Sequence, residues 1–395
     1  MVHLATALLA CSAAFAVAAP ASEVFERQTC SVANSYPTVN VAKLPDPFTN
    51  AAGAKVTTKA EFECRRQEIN KMFQQYELGA YPPPPDKVEA SMSGSGITVR
   101  VTVGSKTVSF SASIRKPSGA GPHPAIIGVG GASIPIPGTV ATISFGNDAF
   151  AAQSGGSSRG RGLFYDLFGS SHTAGALTAW AWGIDRLIDG LEQVGAATSG
   201  IDAKRLGVTG CSRNGKGAMI AAALVSRIAL GLPQESGSGG AACWRISDQQ
   251  KSAGKNIQTA SQIIGENVWF SKNFDPYTRS TSTMPVDHHM LAALTVPRGL
   301  LAMENNIDWL GPVSTTGCMN AGRLIYKAWG EPTFMGFTLQ GGNNHCQFPS
   351  GQQAELTQYI NYFLLNGGTK PSAVERSAVT VDTASWAPWA VPNLA

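Results

Sequence analysis

The sequence predicts an α/β protein: a mostly parallel sheet with helices on both faces and antiparallel strands on its N-terminal side. Three observations predict it. After residue 123, short apolar runs alternate with longer stretches of helical period. Before them, GITVRVTVGSKTVSFSAS alternates apolar and polar residues about a Gly104-Ser105 turn, which reads as an antiparallel hairpin. No repeat with a period of roughly 20 to 50 residues is present, which sets solenoids and propellers aside.

Taken in order, the chain opens with MVHLATALLACSAAFAVAAP, apolar from Leu4 to Ala19 and closing on small residues of the A-x-A kind, Ala16 and Ala18. This is the pattern of a secretory signal peptide over residues 1–19, too short to span a bilayer as a mature helix. Residues 20–28 read as a propeptide or loose segment that can be trimmed at Arg27, and residues 29–395 as one domain. Pro-rich loops over 31–85 surround one amphipathic helix, 59–78, whose Phe62, Ile69, Phe73 and Tyr76 recur at helical spacing before a run of four prolines stops it.

The hairpin follows, and then the period changes. HPAIIGVGG reads as a strand, GALTAWAWGIDRLIDGLEQV as a helix, RLGVTG as a strand and KGAMIAAALVSRI as a helix. RIALGL reads as a strand overlapping that helix's end. PRGLLAMEN, GCMNAGRLIYKAWG, PTFMGFTLQGG and GQQAELTQYINYFLLNG complete the series as strand, helix, strand and helix. Strands alternating with helices pair in parallel and are covered on both faces, with the hairpin at the antiparallel edge. This is the order of an α/β-hydrolase.

Composition narrows the function. Of 395 residues only 14% are charged, glycines number 43 and the formal net charge is +4, with no block of like charges to track a polyanion. Nucleic-acid binding is excluded on that ground, and beyond the signal no apolar run is long enough for a membrane span. The mature protein is expected to be soluble and secreted. Cys11 leaves with the signal, and the remaining Cys30, Cys64, Cys211, Cys243, Cys318 and Cys346 form an even set suited to three disulfides in an oxidising compartment. No C-x-x-C pair supports a zinc site, and no N-x-[ST] sequon is present.

The chemistry centres on LGVTGCSRNGKGAMIAAAL. A sharp turn between a central strand and its helix is where this fold carries its nucleophile, which selects Ser212. The stretch departs from G-x-S-x-G, because Asn214 takes the place of the second glycine and Gly215 follows it. A serine here can also simply cap the helix. Arg213 and Lys216 speak for catalysis: cations in a first helical turn oppose the macrodipole at about 0.3 to 1 kcal/mol each, so an oxygen-rich ligand or a developing oxyanion should favour them. The alternative is that both point into water.

Chain order places the base after the last strand of the series, at His345 in QGGNNHCQFPS. Cys211 precedes Ser212 and Cys346 follows His345, so a serine and histidine within hydrogen-bond reach would bring those cysteines to bridging distance. Three carboxylates compete to orient the imidazole: Glu235, Glu304 and Asp308. Residue type does not separate them. For the oxyanion hole, the Arg213 amide and a donor from the loop Gly128 to Gly131 are in the expected places, although that loop also suits a plain turn.

At these residues the chain resembles the fungal glucuronoyl esterases, a carbohydrate-esterase family. The matching segments are GALTAWAWGIDRLIDGLE, VTGCSRNGKGA, LPQESGSGGAACWRIS, PVDHHMLAALTVPRGLL, DWLGPVSTTGCMNAG and NNHCQFPS. The resemblance implies Ser212 as nucleophile, His345 as base, Glu235 as acid and Arg213 as oxyanion partner. It implies that Lys216, Gln258, Glu266 and Trp309 hold a sugar ring through its hydroxyls and 4-O-methyl group, that the bridges are Cys30–Cys64, Cys211–Cys346 and Cys243–Cys318, and that no metal or organic cofactor takes part. The implied substrate is the ester joining 4-O-methyl-glucuronic acid of glucuronoxylan to lignin alcohols, cleaved by a monomer in an open cleft. The competing functions are an acetyl xylan or feruloyl esterase on the same scaffold and a non-catalytic carbohydrate-binding protein.

Overall fold

The computed structural model describes residues 30–372 and 375–395, so the expected signal peptide and the segment 20–28 lie outside the described residues. The sheet runs through β1 (Lys87–Ser93), β2 (Gly96–Val103), β3 (Lys106–Arg115), β4 (His123–Val129), β5 (Ala141–Phe145), β6 (Ile201–Cys211), β7 (Leu230–Gln234), β8 (Gly299–Glu304), β9 (Met335–Leu339) and β10 (Glu375–Ser377). Its spatial order is β1-β2-β3-β5-β4-β6-β7-β8-β9-β10. Pairing is antiparallel from β1 to β5 across β2 and β3, and parallel from β5 to β10.

The hairpin forms where expected. Ile97, Val99 and Val101 of β2 are buried while Thr98 and Arg100 face water, and the pair Val103↔Lys106 closes on a two-residue turn. The central strands are buried on both faces, and the pleat sorts their side chains into two cores. Ile127, Leu300 and Ala302 join the larger core, whereas their neighbours Ile126, Leu301 and Met303 join the smaller one. The larger core receives α1 (Lys59–Phe73), α2 (Ala176–Val194), α3 (Arg213–Leu224), α4 (Trp244–Ser252), α5 (Ala260–Glu266) and α6 (Pro312–Trp329); α7 (Gln353–Phe363) covers the other with Leu356, Tyr359 and Ile360. Trp180 and Trp182 of α2 are both fully buried in the larger core.

The structure refines three expectations. The helix expected over 59–78 is α1, capped reciprocally by Thr58 and Glu61, followed by one π-helical segment, Gln74–Leu78. The strand expected to overlap the end of the next helix is separate from it: α3 stops at Leu224 and β7 begins at Leu230. Val225 is already extended, at φ −102° and ψ 98°, and Arg227, between the two elements, forms ion pairs with Asp185, Asp189 and Glu192. Strands β1, β5 and β10 are additions to the sequence reading.

Candidate active site

Ser212 occupies the single residue between β6 and α3, at φ 60° and ψ −125°. A non-glycine residue held at positive φ stores about 1–3 kcal/mol of strain, so the surroundings must fix it. They do: its N–H donates to the Gln234 carbonyl at 3.0 Å, and its carbonyl accepts from the Lys216 N–H at 2.9 Å. The departure from G-x-S-x-G has a steric cause. A Cβ at Gly215 would lie 2.4 Å from the Gln234 carbonyl oxygen, and one at Gly210 would lie 2.4 Å from that of Asn214, so the close approaches fall at 210 and 215. Position 214 tolerates a side chain, and Asn214 Oδ1 accepts from Asn147 Nδ2 at 3.3 Å.

Glu235 leaves the end of β7, also at positive φ (44°), with its N–H bonded to the Met303 carbonyl. Its carboxylate is only 2% exposed and is surrounded by donors. Oε2 accepts from His345 Nδ1 at 2.7 Å and from the Cys346 N–H at 2.9 Å, and Oε1 accepts from Asn343 Nδ2 and Asn305 Nδ2 at 3.1 and 3.3 Å. The three carboxylates left open by sequence are thereby separated. Glu304, at the end of β8, accepts instead from the N–H and hydroxyl of Ser236 and from the Gly237 N–H; burial pushes its pKa up to about 7 against those hydrogen bonds. Asp308 is exposed.

The loop after β9 brings His345 in, and the Cys211–Cys346 disulfide, with a Cα–Cα separation of 5.7 Å, ties that loop to the residue before Ser212. The other two bridges are Cys30–Cys64 and Cys243–Cys318. Cys211, Cys346 and His345 cluster closely enough to suggest a metal site, but the two sulfurs are bonded to each other and do not serve as thiolate ligands.

Ser212 and His345 line one cavity of about 280 Å³ together with Arg213 and Lys216 of α3, Gln258, Glu266 and Trp309. Of the catalytic and sugar-binding residues that the family resemblance implies, all but the buried Glu235 border it; Glu304, Asp308 and the glycine loop do not. A larger apolar groove of about 410 Å³, flanked by Tyr36, Met72 and Trp389, contains none of them. Trp309 sets its ring edge-on to His345 at 4.8 Å between centroids, and Gln258 Nε2 donates to Glu266 Oε2 at 3.0 Å. Lys216 does not point into water: it is 3% exposed, and its ammonium donates to the Ser236 carbonyl. Burial lowers its pKa to about 8, with Glu304 and Glu266 opposing the shift. Arg213 is exposed, and among the described residues its guanidinium has no hydrogen-bond or ion-pair partner.

One wall residue was not singled out in the sequence. Trp269 borders the cavity, with Arg213 Cζ 5.9 Å and Lys216 Nζ 5.8 Å from its ring centroid. In the segment NVWFSKNF it has the signature of an ordinary core aromatic, and no motif marks it. The glycine loop turns out to be a plain turn at two of its amides: the Gly130 N–H donates to the Phe145 carbonyl and the Gly131 N–H to the Gly128 carbonyl. The Arg213 N–H, at the first helical position, has no acceptor within the helix.

A serine on a tight turn after a central parallel strand, with a carboxylate-held histidine on a later loop, is the arrangement of the α/β-hydrolase fold. The model of the family "Glucuronyl esterase, fungi" matches residues 99–330. The 4-O-methyl-glucuronoyl methylesterase of Neurospora crassa is 74% identical over 395 residues, covering all of both chains. A crystal structure of a serine-to-alanine mutant of the Sporotrichum thermophile glucuronoyl esterase, in complex with methyl 4-O-methyl-β-D-glucopyranuronate, superposes with a TM-score of 0.92 at 73% identity, covering 93% of this chain and all of that one. The catalytic domain from Hypocrea jecorina gives 0.90 at 51% identity, covering 92% and 100%. The chain belongs to the fungal glucuronoyl esterases, and so to the carboxylic ester hydrolases.

Proposed function

We propose that the protein is a secreted, monomeric serine esterase that cleaves the ester between 4-O-methyl-D-glucuronic acid of glucuronoxylan and lignin alcohols. One observation carries the reading: His345, which donates to the buried Glu235 carboxylate at 2.7 Å, borders the cavity that Ser212 also lines. His345 takes the proton of Ser212 as Oγ attacks the uronoyl carbonyl. The C–O bond to the alcohol then breaks, and the alcohol leaves with that proton. Water, deprotonated by the same imidazole, attacks the glucuronoyl-serine; the acid departs and the proton returns to Ser212. Glu235 holds His345 Nδ1–H and stabilises each imidazolium, and Arg213 meets the oxyanion.

The esterified uronate is neutral, so Lys216 and Glu266 act on sugar hydroxyls as hydrogen-bond partners, joined by Gln258. Trp309 offers its indole face and N–H to the ring and its 4-O-methyl group. The Neurospora and Sporotrichum relatives, named for this uronate, support the substrate class. The exposed Arg213 and Glu266 suit a cleft that admits a polymer. Initial rates on methyl 4-O-methyl-glucuronate, methyl galacturonate, an acetate ester and a ferulate ester test the reading. The glucuronate ester should have the highest kcat/KM; preference for acetate or ferulate would replace the substrate assignment.

A further inference from the structure

We propose that Trp269 is a positioning residue for ester cleavage: its indole face holds the Arg213 guanidinium at the carbonyl that Ser212 attacks. The inference rests on the reading of Arg213 as the oxyanion partner. With the Gly130 and Gly131 amides committed inside the fold, stabilisation of the oxyanion falls more heavily on Arg213. Yet Arg213 is exposed, carries a long side chain, and has no hydrogen bond or ion pair among the described residues. A free arginine of this kind samples many rotamers. The observed contact that restrains it is the face of Trp269, 5.9 Å from Cζ to the ring centroid.

The ring is itself held on several sides. Trp269 is 2% exposed, and its Nε1–H donates to Gln153 Oε1 at 2.8 Å. Gln153 in turn donates through Nε2 to Asp148 Oδ1 at 2.6 Å, and its carbonyl accepts from Asn267 Nδ2 at 2.8 Å. The Trp269 carbonyl accepts from the Leu177 N–H, which anchors the segment to the first turn of α2. Lys216 approaches the same ring, 5.8 Å away. Two cations in the first turn of α3 repel each other and the helix dipole, and the negative face of the indole offsets both. Lys216 has a second anchor on the Ser236 carbonyl, whereas Arg213 does not, so loss of the ring should fall on Arg213 and therefore on kcat.

A double-mutant cycle tests this. Trp269→Leu should lower kcat roughly three- to thirtyfold with little change in KM, and Trp269→Phe, which keeps a π face, should recover most of the loss. In an Arg213→Ala background, itself reduced about 10²- to 10³-fold in kcat as an oxyanion donor, Trp269→Leu should cost nothing further. Losses that multiply would overturn the positioning role while leaving the oxyanion assignment intact. An Arg213→Ala enzyme with full kcat would overturn both. If Trp269→Leu does not fold, Gln153→Leu, which removes the acceptor of the indole N–H, enters the same cycle: a smaller kcat loss that vanishes in the Arg213→Ala background supports the inference, and one that persists there overturns it.

Discussion

Glu235 receives four hydrogen bonds, from an imidazole, a backbone N–H and two asparagine amides. That number matters because a carboxylate behind a catalytic histidine must remain ionised and hold one tautomer of the ring. Glu235→Gln preserves shape but removes the charge that stabilises the imidazolium, and the new amide can donate to Nδ1 and present the wrong tautomer. The expected loss in kcat is about 10³- to 10⁴-fold with near-wild-type KM, measured by steady-state kinetics on methyl 4-O-methyl-glucuronate. Glu304→Gln is the matched control, since Glu304 bonds the Ser236 and Gly237 backbone and not the histidine. Comparable losses in the two variants would remove the distinction drawn between them.

At the scale of elements, the site depends on joining the β6–α3 turn to the loop after β9, two segments far apart in the chain. The Cys211–Cys346 bridge closes a sequence separation of 135 residues, and constraining a loop of that length in the unfolded chain stabilises the fold. Replacing both cysteines with alanine should cost about 2–5 kcal/mol in urea unfolding. It should also lower kcat roughly tenfold by loosening His345, a barrier change near 1.4 kcal/mol, with KM nearly unchanged. Full kcat in the destabilised variant would show that Glu235 alone positions the imidazole. This juxtaposition was legible in sequence because Cys211 precedes Ser212 and Cys346 follows His345, the residues read there as nucleophile and base. The hairpin and central strands were legible for an equally local reason, their period and apolar length. β5 was not, because ATISF is a five-residue run inside a loop-like stretch, and β10 was not, because ERS is three polar residues that pair with β9 at the edge of the sheet. The approach of Arg213 and Lys216 to the Trp269 ring was not legible, because it is set by tertiary packing alone.

Across the whole molecule, the loop after Glu235 is braced from behind by a buried ion pair. His288 is fully buried, with Nδ1 at 2.6 Å from the Gly240 carbonyl oxygen and Nε2 at 2.6 Å from Glu77 Oε1. The Gly240 carbonyl can only accept, and an ionised Glu77 carboxylate likewise, so with Glu77 ionised both ring nitrogens donate and the ring carries the positive charge. Burial alone would lower its pKa, but Glu77 first and then Asp287 outweigh burial and raise it above the ordinary histidine value. Glu77 lies in the π-helical segment after α1 and also accepts from Trp244 Nε1, so the pair links the N-terminal region, α4 and the Gly240 turn. Because the folded-state pKa is raised, the stabilisation is fully present below about pH 6.5, the unfolded value, and is lost as pH rises through the folded value. Glu77→Gln should therefore cost roughly 3–5 kcal/mol near pH 6, the scale for breaking a buried pair. The gap from wild type should narrow steadily on the alkaline side, as measured by denaturant unfolding at a series of pH values. Other buried titrating groups, among them Asp287 beside His288, Lys216 and Glu304 near the cavity, and His289 with its pKa lowered to about 4 by burial, are common to both proteins and largely cancel in the difference. A gap that stays constant or widens with pH would mean that His288 is neutral in the fold, contrary to its two acceptor contacts.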